Sequence, residues 1–245
     1  MIYFASDIHL GAGDKQYARR TEQRFLRWLD MAGKDADTIF LVGDIFDFWF
    51  EYGHVVPKGF TRIFGKLAEL TDRGVKIVFF TGNHDMWVGD YLPRECGIEL
   101  YTKPQTFTVA GKTLFVAHGD NMNIKGQPLL RMMNAMFRSK VLRKVASWLI
   151  HPDLFMRFGK WWSGKSRKSH SKDTITPESL GFLVDYAREY KKANQDTDYI
   201  LFGHMHYPYD LKESDLRVLF LDCWDNDEAT YAVMDNAGNI SLKTF

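Results

Sequence analysis

Thr38-Ile39-Phe40-Leu41-Val42-Gly43-Asp44-Ile45-Phe46-Asp47 is the stretch on which the fold turns. An unbroken apolar and β-branched series, closed by a glycine and an acid, fits a short strand buried on both faces that stops at a sharp turn. Outward from it the same pattern recurs. Ile2 to Ala5 runs into Ser6-Asp7-Ile8-His9, and Val75 to Thr81 into Gly82-Asn83-His84-Asp85. Thr113 to Ala117 runs into His118-Gly119-Asp120, and Tyr199 to Phe202 into Gly203-His204-Met205-His206. Helical patterns lie between the early runs. Tyr17 to Met31 carries Phe25, Leu26 and Leu29, and Phe60 to Thr71 carries Ile63, Phe64, Leu67 and Leu70 before a stop at Gly74. Thr176-Pro177-Glu178 opens another helix reaching about Lys192, with Thr176 as N-cap. After His206 the pattern is all-β: Val218 to Leu221, Thr230 to Met234 and Ile240 to Leu242, with a hairpin turn at Asn236-Ala237-Gly238-Asn239. Strands alternating with helices predict an α/β layered fold.

The five runs each end in side chains that bind hard or borderline cations: Asp7, His9, Asp44, Asn83, His118, His204 and His206. The carboxyl ends of strands in an α/β sheet form the crevice where ligands bind, so residues distant in sequence converge there. Asp7 and His9, and likewise His204 and His206, are two apart and would face one side of a strand. Imidazole and carboxylate donors without thiolate suit Mn, Fe or Zn better than Cu(I) or an iron–sulfur cluster. Seven donors exceed the needs of one tetrahedral ion. Two ions about 3.5–4 Å apart, sharing one carboxylate, would use them all and clamp an in-line phosphoryl displacement.

Composition narrows the class. With 245 residues, 45% hydrophobic and 26% charged, the chain suits a globular enzyme rather than a disordered segment. Cys96 and Cys223 are the only cysteines, too few for a disulfide scaffold or a cysteine metal site. No run approaches the roughly 20 apolar residues that cross a bilayer. The first residues, Met1 to Asp7, lack a basic start and an apolar core, so a cytoplasmic location is expected. The net charge of +1 hides an asymmetry. Residues Asn121 to Lys172 hold twelve Lys or Arg against one acid, Asp153, and the remainder is ten charges negative. Within this segment Leu130, Met133, Phe137, Val141, Val145 and Trp148 fall on one helical face. His151-Pro152-Asp153 breaks the pattern, and a short second helix would carry Leu154, Phe155, Phe158, Trp161 and Trp162. Its tail, Ser163 to His170, is basic, small and polar.

Taken in order, Asp7-Ile8-His9, Gly43 to Asp47, Gly82 to Asp85, His118-Gly119-Asp120 and Gly203 to His206 resemble the five motifs of calcineurin-like metallophosphoesterases. The resemblance spans residues 2 to about 206. It implies a four-layer α-β-β-α sandwich of the metallo-dependent phosphatase type, one domain over residues 1–245, with a dinuclear centre. Carried over by motif, Asp7, His9 and His206 would hold the first metal, Asn83, His118 and His204 the second, and Asp44 would bridge. His84 would stabilise charge on the phosphoryl group or protonate the leaving oxygen, with Asp85 orienting it. The ions would be two divalent metals, Mn2+ first, with Fe or Zn as alternatives.

Gly43 to Tyr52, His118 to Asn121 and the basic, aromatic insertion look similar to the branch of UDP-2,3-diacylglucosamine hydrolases of lipid A synthesis. That resemblance makes residues 121–172 a helical lid for acyl chains at the cytoplasmic face of the inner membrane. It implies a UDP-linked acylated glucosamine as substrate, no nucleic acid and no obligate protein partner. Asn121, Asn123, Arg157, Lys165, Arg167 and Lys168 become candidate substrate-binding residues. His84 departs from well-known members of the branch, which carry Arg there; Gly82 to Asp85 has the general phosphoesterase form. The competing readings are a phosphoesterase for another lipid, nucleotide or nucleic acid, and a membrane-surface binding protein without catalysis.

Overall fold

The computed structural model describes residues 1–122, 128–169, 176–225 and 228–245, and describes the backbone alone at 129–131, 133, 140 and 166–169. Two sheets stack face to face. The first has six strands in the order β11-β10-β1-β2-β3-β4, made of β1 (Ile2–Ala5), β2 (Thr38–Val42), β3 (Lys76–Phe80), β4 (Glu99–Tyr101), β10 (Thr230–Met234) and β11 (Ile240–Thr244). The second has the order β5-β6-β7-β9-β8, made of β5 (Gln105–Val109), β6 (Lys112–Ala117), β7 (Tyr199–Phe202), β8 (Tyr209–Lys212) and β9 (Arg217–Phe220). β1, β2 and β3 run parallel, and so do β6, β7 and β9.

Strand alternation accounts for the layering, because successive side chains point to opposite faces. Tyr3, Ala5, Ile39, Leu41, Ile77 and Phe79 pack outward against helices α1 (Lys15–Ala32) and α2 (Thr61–Asp72), whose Phe25, Trp28, Leu29, Ile63, Leu67 and Leu70 are buried. The intervening residues Ile2, Phe4, Phe40, Val42, Val78 and Phe80 face the second sheet and meet Leu114, Val116, Leu201 and Leu219. The other face of that sheet, Phe115, Ala117, Ile200, Phe202, Val218 and Phe220, is covered by Leu180 and by Leu183 and Ala187 of α7 (Gly181–Ala193). The result is the expected four-layer α-β-β-α sandwich. Both central layers are buried on two faces, which is why their strands read as continuous apolar runs.

Several elements depart from the sequence expectation. Helix α3 (Tyr91–Cys96) and strands β4, β5 and β8 lie outside the elements expected from the sequence. Residues Pro177–Leu180 form a 3-10 turn before α7 rather than its first turn. The long apolar face expected from Leu130 to Trp148 belongs to two helices, α4 (Pro128–Phe137) and α5 (Lys140–Leu149). Ser139 makes the break: its hydroxyl accepts from the Leu142 amide and caps α5. The helix expected after His151-Pro152-Asp153 is α6 (Pro152–Ser169), which has 18 residues and takes in most of the expected tail. Trp87 Nε1 donates to the Phe137 carbonyl at 2.6 Å, and the Phe155 ring lies 4.4 Å from Phe50, so α4 and α6 both rest on the body.

Candidate metal centre

Every expected donor sits just beyond the carboxyl end of a parallel strand. Asp7 and His9 follow β1, Asp44 follows β2 and Asn83 follows β3, all in the first sheet; His118 follows β6 and His204 and His206 follow β7 in the second. The loops stay bonded to each other after the strands end. Asp7 N donates to Gly43 O, His9 N to Asp44 O and Gly203 N to His118 O, each at 3.0 Å. Trp224 N donates to Asp7 O at 3.0 Å, and the Trp224 ring is buried 5.5 Å from Phe25 and 5.6 Å from Trp28. The Asp222-Cys223-Trp224 segment therefore clamps the first donor loop.

Backbone conformation singles these residues out. Among the described residues six non-glycines have positive φ, and five of them are Asp7 (54°), His9 (50°), Asp44 (53°), His204 (70°) and His206 (52°); the sixth is Ala110. A left-handed residue bearing a Cβ costs roughly 1–2 kcal/mol. Five such residues at one edge are held by their surroundings, a pattern that marks functional sites. The sequence expectation was that strand alternation would put Asp7 with His9, and His204 with His206, on one side. The structure differs: both pairs lie past the strand ends, and left-handed turns carry them. The glycines of the motifs make room. A Cβ on Gly82 would overlap the Asp44 carboxylate, and Gly43, at φ 87°, has the His118 ring against the place a Cβ would take.

The side chains form three overlapping sets whose ligand atoms lie within 4.8 Å of one another: Asp7, His9 and His206; His9, Asp44 and His84; and Asp44, His118 and His204. His9 Nε2 and His206 Nε2 are 3.2 Å apart, and His206 Nε2 is 3.2 Å from Asp7 Oδ1, a buried oxygen with no hydrogen bond. Asp44 Oδ2 lies 3.3 Å from His118 Nε2, which is also 3.3 Å from Asn83 Oδ1. Asp44 thus stands between the clusters, and Asn83 joins the second. The other Asp7 oxygen accepts from His204 N at 2.9 Å and from the Ser6 hydroxyl.

Electrostatics fit the same picture. Burial alone would raise the Asp7 carboxyl, but the His206 imidazole 3.2 Å away holds it at about 2. Burial likewise opposes ionisation of Asp44, and the His118 and His84 imidazoles hold it well below the usual carboxylate range. Burial would lower His118 and His206; Asp44 and Asp7 respectively raise them above the ordinary value. Buried carboxylates that draw protons onto neighbouring imidazoles are carboxylates that need a counter-charge. Converging oxygen and imidazole donors with an unbonded carboxylate oxygen fit divalent cations in that role.

His84 and Asp85 differ in how they are held. His84 is buried beside the centre, its Nε2 3.9 Å from Asp44 Oδ2, and its backbone N donates to Asp44 Oδ1 at 2.8 Å. Asp85 was expected to orient this ring. Its carboxylate instead accepts backbone hydrogens from Gly82 (2.7 Å), Ile45 (2.8 Å) and Phe46 (3.3 Å), bracing the Asp44 loop. Burial, then the Asp44 charge, raises its carboxyl to about 7. The groups at His84 Nδ1 are the Asp47 carbonyl and the Ser163 hydroxyl, both at 2.9 Å. Ser163 and Asp47 went unrecognised. Asp47 lies within the Gly43 to Asp47 motif, but nothing in sequence brings residue 163 to residue 84.

The candidate substrate residues scatter. Asn121 accepts from Asn134 of α4 at 2.7 Å and donates to Asp120, which pairs with Arg138 at 2.6 Å, so it ties the insertion to the β6 loop. Arg157 and Lys165 lie exposed on α6, Lys165 Nζ 5.8 Å from the Trp161 ring centre. Asn123 lies outside the described residues; Arg167 and Lys168 lie on α6, where only the backbone is described.

Comparison with known proteins agrees with this architecture. A protein of Porphyromonas gingivalis named UDP-2,3-diacylglucosamine hydrolase is 36% identical over 248 residues, covering 96% of this chain and 94% of that one. Proteins of the same name from Neisseria gonorrhoeae (24% over 247 residues, 97% and 95% covered) and Edwardsiella ictaluri (26% over 212 residues, 84% and 75% covered) are also similar. Residues 1–208 match the family described as calcineurin-like phosphoesterase. That span contains all five strand-end motifs, and the chain belongs to the calcineurin-like phosphoesterase family.

Proposed function

We propose that this protein hydrolyses the pyrophosphate of UDP-2,3-diacylglucosamine, releasing UMP and 2,3-diacylglucosamine 1-phosphate. The observation that carries the reading is the end-to-end likeness to the Porphyromonas gingivalis hydrolase, at 36% identity. In this reading Asp7, His9 and His206 hold one divalent ion, Asn83, His118 and His204 a second, and Asp44 is shared. When bound, two such ions, Mn2+ in our assignment, supply an activated water and neutralise charge on the phosphoryl oxygens.

The chain's own groups do the rest. His84 presents Nε2 toward Asp44, where the two donor clusters meet, and from there serves the phosphoryl group or the leaving oxygen. Asp85, by holding three backbone amides, fixes the loop that carries Asp44. The buried setting lets few water molecules compete with these contacts, which strengthens them.

The insertion at residues 121–172 acts as the lid in this proposal and rests on the cytoplasmic face of the inner membrane. Its surface supports that role. Among the described residues, every exposed large apolar side chain except Val55 lies between Met132 and Trp162, and Trp148 is 88% exposed. Such a display, mixed with Arg143, Lys144, Arg157, Lys160 and Lys165, suits an anionic lipid surface. None of the described helices is long and apolar enough to cross a membrane.

The test is release of UMP from UDP-2,3-diacylglucosamine by pure protein loaded with Mn2+. Turnover of a soluble phosphodiester with no UMP release would overturn the substrate while leaving the family intact. His84→Ala should slow turnover about 10²–10⁴-fold and keep both metals; loss of metal would make His84 a ligand, as its place in one donor set allows.

A further inference from the structure

We infer that Ser163, on helix α6 of the insertion, is a positioning residue for His84: it couples the seating of that helix to the orientation and tautomer of the imidazole at the metal centre. The inference rests on the proposed role of His84.

Helix α6 meets the body along one stripe. Phe155, Gly159 and Ser163 recur at four-residue steps and share a face. Phe155 packs 4.4 Å from Phe50 and 5.8 Å from Phe48. At Gly159 a Cβ would overlap the Phe48 ring, so the helix approaches more closely than any larger residue permits. One turn later that approach delivers Ser163, 1% exposed, onto His84. A hydroxyl buried this fully is costly unless bonded, and its bonds go to the active site. The Ser163 hydroxyl donates to Asp47 Oδ1 at 2.5 Å, and its oxygen lies 2.9 Å from His84 Nδ1.

Hydrogen accounting then decides the tautomer. The Asp47 carbonyl, 2.9 Å from Nδ1, only accepts. The single hydroxyl hydrogen of Ser163 is committed to the Asp47 carboxylate, so toward the ring Ser163 also only accepts. Both neighbours of Nδ1 are acceptors, and Nδ1 carries the proton. Nδ1 keeps its hydrogen throughout, so the proton that His84 gives to a leaving oxygen or takes back is the one on Nε2, on the far side of the ring, which faces Asp44. The Asp47 carbonyl alone would leave the ring one tether. Ser163 supplies the second, and supplies it only while α6 is seated on Phe48 and Phe50. A chain with His at position 84 needs this arrangement, because a ring with two distinct nitrogens must be told which one to present.

A double-mutant cycle tests the coupling. Wild type, Ser163→Ala, His84→Ala and the double variant are assayed on UDP-2,3-diacylglucosamine and, in parallel, on bis(p-nitrophenyl) phosphate, with metal content measured in each. Ser163→Ala should lower kcat about 10-fold or more with KM nearly unchanged, and both metals should remain. In the His84→Ala background the same change should cost nothing further, since its target is gone. Ser163→Thr, which keeps the hydroxyl, should recover most of the rate; Ser163→Cys, similar in volume but a weak donor, should not. Multiplying losses in the double variant would overturn the inference, as would a rise in KM at constant kcat, which would make Ser163 a substrate contact. A near-normal rate in His84→Ala would instead refute the role of His84 itself.

Discussion

His204 offers a direct test of the strain at the metal centre. Its φ of 70° places a Cβ-bearing residue in left-handed backbone, at a cost of about 1–2 kcal/mol. Replacing it by Ala or by Gly removes the imidazole in both cases, so both variants lose the same donor and the same contact with the His118 ring, 5.2 Å away. They differ in the backbone. Ala keeps the Cβ penalty; Gly is at ease there but loses about 0.4–1 kcal/mol through its freer unfolded chain. The difference spans about 0–1.6 kcal/mol in favour of Gly and centres near about 0.8 kcal/mol, which is about 2–3 °C in Tm for a chain of this size. The assay is thermal unfolding of both variants in EDTA, followed by circular dichroism, with activity measured separately after Mn2+ loading. Both should be nearly inactive, and the Gly variant should melt higher. At an ordinary helical or strand position the order reverses, because Gly is the less favourable residue there. An Ala variant that melts at or above the Gly variant would refute the claim that the donors are held in strained backbone.

The remaining predictions address the metals and the insertion. Asp44→Ala should abolish nearly all activity and reduce the bound metal below two ions per chain by elemental analysis, since Asp44 lies between both donor clusters; a near-normal rate would refute the shared ligand. In metal-free protein His118 and His206 are raised by Asp44 and Asp7, so they keep protons to higher pH than an ordinary imidazole, and a metal must displace whatever protons they hold. Adding Mn2+ in weak buffer at pH 7 should release protons, and apparent affinity should rise with pH. The stability sign follows: the raised imidazoles contribute in full below their unfolded pKa of about 6.5 and lose that contribution as pH rises through the raised values. EDTA-treated protein should therefore melt lower at pH 9 than at pH 6, while Mn2+ reverses the trend. Trp148→Glu, at a site 88% exposed, should leave unfolding free energy within about 0.5 kcal/mol. It should weaken binding to anionic vesicles roughly 5-fold, the equivalent of about 1 kcal/mol for one added negative charge; unchanged vesicle sedimentation would remove this face from the membrane contact.

Much of the fold was legible because buried parallel strands write themselves plainly. Ile2 to Ala5, Thr38 to Val42 and Tyr199 to Phe202 are apolar on both faces, and the observed strands keep those bounds. The elements that escaped are those whose burial is partial, such as β5, with alternating half-buried and exposed residues, and β8. The break between α4 and α5 was missed because apolar spacing continued across it while a single capping serine ended it.

The candidate donors, and their places at the ends of five strands, could be named from the sequence alone. A strand's burial and its terminating residues are local properties, and the parallel order of the sheets carries those ends to one edge. What only the tertiary structure decided is how the donors are aimed and which neighbours hold them. Left-handed φ at Asp7, His9, Asp44, His204 and His206 has no local signature, since each residue would relax if the surrounding amides and glycines did not hold it. Asp85 turned from an orienter of His84 into a brace for the Asp44 loop because three amides from two loops converge on its carboxylate. Ser163 reached His84, 79 positions away, only because Gly159 lets α6 settle onto Phe48. Residue type is written along the chain; the direction of a lone pair depends on everything packed around it.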